Sequence, residues 1–216
     1  MPTLALARHY IPRVRDSAEV QYRIDARNSL VFINDAWISE AQAAASPLRL
    51  ASAAVLGQGL WDLITDLPLQ HLFDGLFHRL RTNQIPTVTY RFRCDTPTLR
   101  RLHHLTITPL PDQSLDFHTS IVAVSKRLSA RLLDPTAPRS GDLLRICSWC
   151  KRLFVPGRGW LDIEDALREL PAIDAGPLPA ITHGMCPGCE ATMLRLLADP
   201  SASGPDTTTF GDWRAP

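Results

Sequence analysis

Ile146-Cys147-Ser148-Trp149-Cys150-Lys151 and Thr182-His183-Gly184-Met185-Cys186-Pro187-Gly188-Cys189 bracket residues 146–189. Each end carries a Cys-x-x-Cys pair, and four of the chain's five cysteines lie in these two short runs. Two thiolates three positions apart on a tight turn can face one ion. A second such knuckle, brought in by folding, completes a tetrahedral shell. Zinc suits four soft sulfur ligands and needs no open position in a structural site. The spacing therefore predicts a zinc site made by Cys147, Cys150, Cys186 and Cys189. Gly184, Pro187 and Gly188 are expected to bend the second knuckle. His183 is an alternative ligand, or a neighbour that hydrogen-bonds a thiolate. Disulfides and a redox dithiol are the competing readings. The first lacks a secretory signal, the second a strand-loop-helix context.

Working outward, Gly159-Trp160 and the stripe Trp160, Ile163, Leu167 and Leu170 predict an amphipathic helix between the knuckles, with Glu164, Asp165, Arg168 and Glu169 outside. Residues 190–198 read as a closing helix. In order, these motifs resemble a small module of bacterial signalling proteins that follows PAS, GAF or receiver domains. The likeness covers residues 144–194. The run at 171–180 is longer and less polar than the common form.

Upstream, Val20, Tyr22 and Ile24 alternate with Gln21, Arg23 and Asp25, which predicts a strand. Arg27-Asn28 marks a turn, and Leu30-Val31-Phe32-Ile33 a second strand. Asn34-Asp35 offers a helix cap. Leu69, Leu72, Phe73, Leu76, Phe77 and Leu80 recur at helical spacing and predict a helix over 69–81. Three strands follow, over 87–94, 102–110 and 115–124. In the first, Val88, Tyr90, Phe92 and Cys94 share the apolar face, and Arg91 and Arg93 the other.

Two strands, a helical middle and three strands are the element order of a PAS domain. Gly57-Gln58-Gly59-Leu60-Trp61-Asp62-Leu63-Ile64 is similar to a PAS turn motif, and Tyr90-Arg91-Phe92-Arg93-Cys94-Asp95 resembles a PAS strand ending. The resemblance covers residues 18–127. It implies an α+β fold with a five-stranded antiparallel sheet and helices, followed by the small zinc-binding module. It also implies a ligand pocket of unspecified occupant, haem and flavin included.

The organisation expected is an N-terminal arm over 1–17, a PAS-like sensor domain over 18–127, a helical exit and linker over 128–142, the four-cysteine module over 143–198 and a disordered tail over 199–216. Val124, Leu128 and Leu132 are spaced as the apolar seam of the exit helix, and residues 134–141 have linker composition. That seam, together with Leu4, Leu6, Tyr10 and Ile11 in the arm, predicts a homodimer. Trp149 and Phe154 beside the first knuckle predict a surface for a signalling protein partner.

Cys94 reads as a buried thiol and His103 as a core histidine. His71 and His78, flanking Asp74, lie on a solvated helix face, with haem ligation as the alternative. Arg91, Arg93, Arg100, Arg101 and His104 form a basic outer sheet face, solvated or open to an anionic partner. The formal net charge is +1, with 45% apolar and 21% charged residues. Nothing here draws the chain to nucleic acid or to a membrane. No nucleophile triad, phosphate loop or kinase signature occurs. The expectation is a cytoplasmic, non-catalytic signal-transduction protein. The alternatives are a nucleic-acid regulator reading through the zinc module, and a switch in which thiol oxidation releases zinc.

Overall fold

The computed structural model describes residues 19–43, 50, 52–64, 66–170 and 176–198. It begins with strands β1 (Val20–Ile24) and β2 (Leu30–Ile33), an antiparallel hairpin turned at Asn28, whose φ is 63°. An asparagine tolerates that left-handed backbone better than most residues. Helix α1 (Asp35–Ala43) starts where the Asn34 carboxamide oxygen accepts from the Trp37 N–H at 3.1 Å. A single turn α2 (Leu60–Leu63) and the long α3 (Leu67–Arg81) follow. Asp66 caps α3 by accepting from the Leu69 N–H at 2.9 Å. All six apolar positions read from its periodicity are buried.

Strands β3 (Val88–Arg93), β4 (Leu99–Pro109) and β5 (Leu115–Lys126) complete an antiparallel sheet in the order β2-β1-β5-β4-β3. The chain then builds a second, four-stranded sheet from β6 (Arg139–Cys147), β7 (Leu153–Val155), β8 (Gly159–Leu161) and β9 (Leu178–Gly184), in the order β8-β7-β6-β9. The β6–β9 pair is parallel. Helix α4 (Ile163–Glu169) links β8 to the segment before β9, and α5 (Pro187–Ala198) closes the described chain. The α+β class and the five-stranded antiparallel sheet with helices are as read. Among the described residues, no helix is long and apolar enough to cross a membrane.

Residues 128–142 differ from expectation. Val124 lies in β5, Leu132 is fully buried in a short 3₁₀ turn (Arg131–Leu133), and Leu128 is 85% exposed. A helical spacing of three leucine-like residues was satisfied by a strand, a loop and a turn instead. The linker composition of 134–141 also hides ordered backbone. The Arg139 guanidinium donates to the carbonyls of Leu132, Asp134 and Pro179, and Ala137 joins Leu132 in the core. Trp160 lies in β8 rather than in the module helix. The N-terminal arm and the C-terminal tail fall outside the described residues.

Among the described residues, two hydrophobic cores result. The smaller holds Leu132, Ile146, Leu153, Ile163 and Leu178 between the second sheet and α4. The larger holds the five-stranded sheet, α3, and also Cys147, Trp149, Cys150, Cys186 and Cys189. The cysteine cluster is thus buried against the first sheet and α3.

Candidate metal centre

Strand β6 delivers Cys147 at its last position. The chain turns at once: the Lys151 N–H donates to the Cys147 carbonyl at 3.0 Å, and the Cys147 N–H to the Arg152 carbonyl at 2.8 Å. Lys151 takes the left-handed backbone that closes this knuckle, at φ 62°. Gly184 and Gly188 do not adopt left-handed backbone, so the glycine chemistry expected at the second knuckle is not what bends it. That bend is the start of α5, with Pro187 as its first residue. Proline suits that position because its missing N–H would have no partner there. Cys186 and Cys189 therefore sit at a helix N-terminus, where the backbone dipole favours negative sulfur.

The four sulfur atoms lie within 4.8 Å of one another, and all four residues are buried. Cys150 Sγ and Cys186 Sγ are 3.7 Å apart. A tetrahedral zinc with Zn–S bonds of about 2.3 Å has S···S edges of about 3.8 Å. All five cysteines are free thiols, so neither knuckle is a disulfide. The Cys186 N–H points at Cys147 Sγ, 3.4 Å away, the kind of outer contact that steadies a thiolate. Hydrogen bonding from Cys150, then from Cys186 and Cys189, pulls the Cys147 thiol well below its ordinary range. The same crowding, led by Cys147, pushes Cys189 up. Four such groups cannot all ionise together without a cation, and a divalent soft metal supplies one. The donor set fits a structural metal held by four thiolates. His183 is exposed on β9, opposite Ile146, and is outside the cluster.

Trp149, between the first two cysteines of the cluster, does not face solvent as a partner surface. It is 4% exposed, with its ring centroid 5.9 Å from Phe73 of α3 and 6.0 Å from Tyr90 of β3. Phe154 meets Trp160 at 5.6 Å and lies under Arg145. The reason is area: the larger core offers Trp149 an apolar floor that the module alone lacks.

One member of the basic sheet face lies elsewhere, while Arg91, Arg100, Arg101 and His104 remain partly exposed. Arg93, placed outside by strand parity, is 1% exposed. It pairs with Asp95 and, at 3.3 Å, with Asp162 just before α4. Burial opposes its charge, but these acids and Glu164 more than compensate and hold its pKa above the ordinary value. Arg127 pairs with Asp95 at 2.9 Å, and Arg100 with Glu164 at 2.7 Å. Burial raises the Glu164 carboxyl, but Arg100 and Arg127 bring it net below its usual range. Arg101 pairs with Glu40. The acids that meet these arginines come from both halves of the chain: Asp95 and Glu40 from the first, Asp162 and Glu164 from the second. The sequence signal was available in all four, but only the Arg93–Asp95 pair is local; the pairs with Asp162 and Glu164 span two sheets.

Cys94 is half-buried, its sulfur 3.6 Å from Arg101 Nη2. His103 is buried and stacks on Phe92 at 5.2 Å. His71 and His78 are exposed on α3 and are brought to no metal-binding group among the described residues. No protein-family model matches the chain, and no curated protein matches it.

Proposed function

We propose that this is a non-catalytic regulatory protein, a PAS-type sensor unit over residues 18–127 joined to a structural zinc module over residues 143–198. The strand order β2-β1-β5-β4-β3, with all helices of that unit between β2 and β3, supports the PAS reading. Zinc is favoured by the four-sulfur donor set and its tetrahedral edge. Four thiolates fill the shell and leave no position for a substrate, so the metal builds structure and does no chemistry.

The observation that carries the reading is the burial of Trp149 against Phe73 and Tyr90. It makes the sensor sheet and the metal knuckle one packed unit, so a change on the sheet reaches the module directly. The output is contact with a protein partner. With Trp149 buried, the module's exposed large apolar residues among the described ones are Leu143 on β6, 72% exposed, and Leu194 on α5. The protein works as a cytoplasmic homodimer, with Leu128 and the apolar edge-strand residues Val31 and Phe32 available for self-association.

Native mass spectrometry of the full chain tests this. The expected species is a dimer with one zinc per chain. Cys147→Ser and Cys186→Ser lose the metal, and Leu128→Asp shifts the dimer toward monomer. A metal-free monomer overturns the reading.

A further inference from the structure

Beside the metal knuckle lies a cavity of about 340 Å³, within the range of about 300–1,000 Å³ that small-molecule sites occupy. Its wall combines Tyr22, Tyr90 and His103 from the sheet, Trp37 from α1, Phe73 from α3, and Trp149 from between Cys147 and Cys150. Half of the residues in the wall carry aromatic rings. Its one acidic residue, Glu40, is already paired with Arg101. A charged ligand would lose hydration here without gaining a counter-charge. Two wall residues also carry ring nitrogens that are buried without a hydrogen-bond partner, Trp149 Nε1 and His103 Nε2. The chemistry that fits is a neutral, flat, largely apolar molecule with one or two polar atoms.

We propose that Trp149 links this cavity to the metal: a neutral aromatic ligand seated against Trp149 tightens metal binding, and loss of the metal weakens the ligand site. The inference rests on the regulatory reading above and supplies its input. Trp149 is fixed from both sides. It lies two residues after Cys147 and directly before Cys150, two of the four thiols that would hold the metal. Its carbonyl accepts from the Arg93 N–H at 2.7 Å, and the Ser148 N–H donates to the Gly184 carbonyl at 2.8 Å. A four-thiolate site of this kind is ordered by its metal. Without the ion, the turn from Cys147 to Cys150 loses its anchor, and with it the indole that closes one side of the cavity. Coupling between two sites is reciprocal, so a ligand that holds the indole in place must raise the metal affinity by the factor by which the metal raises the ligand's.

The test uses the full metal-loaded chain and the neutral fluorescent probe N-phenyl-1-naphthylamine. Probe affinity is measured on loaded and chelator-stripped protein, and metal affinity by equilibrium competition with a chelator, with and without probe. The expected result is about tenfold weaker probe binding after stripping and metal affinity raised by the same factor when probe is bound, typical of coupled sites. Thr119→Phe, on β5 in the cavity wall, should lose probe binding with metal content unchanged. Trp149→Phe should keep metal and cavity yet lose most of the coupling. Equal probe affinity with and without metal overturns the proposal. So does unchanged probe binding in Thr119→Phe, or unchanged coupling in Trp149→Phe. Protein that takes up no metal overturns the functional reading together with this one. Protein that holds metal but shows no reciprocal effect overturns this one alone.

Discussion

The main-chain N–H of Arg93 donates to the carbonyl oxygen of Trp149 at 2.7 Å. Arg93 ends β3, the edge strand of the first sheet, and Trp149 is the middle of the first metal knuckle. An edge strand presents unpaired backbone groups, and here the knuckle takes up one of them. The metal site therefore finishes the sheet as well as its own module.

Removing the metal should consequently loosen β3 along with the knuckles. Hydrogen exchange read by mass spectrometry, with and without a strong chelator, checks this. Peptides over 88–93 and 146–151 should lose protection together, while β1 and β2 at the far edge keep theirs. Loss confined to 144–194 would mean that the contact carries no stability.

Asp95 should be the costliest acid of the ionic cluster to remove. Its side chain is fully buried and holds two guanidinium groups, those of Arg93 and Arg127. Asp95→Ala leaves both charges buried and short of a partner, a loss of about 3–5 kcal/mol. Asp162 is partly solvated, with its side chain 23% exposed, and Asp162→Ala should cost about 1 kcal/mol or less. Urea unfolding of both variants gives the comparison. Equal losses would remove Asp95 from the centre of the cluster.

Residues 134–141 should resist protease despite their proline, serine and glycine. Arg139 ties three carbonyls, Thr136 donates to Asp134 through both its N–H and its hydroxyl, and Ala137 is buried. Backbone held this way does not open to fit a protease cleft. Limited digestion with proteinase K, which does not require an arginine, should therefore spare residues 134–141 in native protein and cut within them once Arg139→Ala releases the carbonyls.

What was legible in the sequence was local. The 3.6-residue repeat from Leu69 to Leu80, the Asn34 cap, the Asn28 turn and the paired Cys-x-x-Cys runs each act within a few residues, and each appears where the pattern put it. Contacts between distant segments were not legible. Trp149 reads as a surplus aromatic only if the module must bury it alone, and Arg93 reads as exposed only if nothing covers the end of β3. Both inferences took the module as separate, while residues 93 and 162, or 73 and 149, meet only after the two sheets come together. Val124, Leu128 and Leu132 show the limit of a three-point period, which a strand and a turn can also satisfy.

The protein should lose stability on mild acidification through His103. Burial, then the nearby Arg101, pushes its pKa from 6.5 down to about 4. Glu40 and Asp95 pull the other way, and Lys151 adds to the lowering. The ring is buried with Nε2 unpaired, so the folded protein holds it neutral. In the unfolded chain it takes up a proton near pH 6.5. Between those values the unfolded state binds more protons than the folded state, so stability falls as pH falls. The contribution is complete above pH 6.5 and is lost as pH drops toward about 4. Chemical denaturation at intervals from pH 7.5 to about 4.5 reads this slope. His103→Leu removes the titrating group and should flatten the curve relative to wild type at equal metal content. Thiolate protonation also releases metal in acid, but it acts on both proteins alike and cancels in the difference. Parallel curves for the two proteins would show that His103 titrates freely in the folded state.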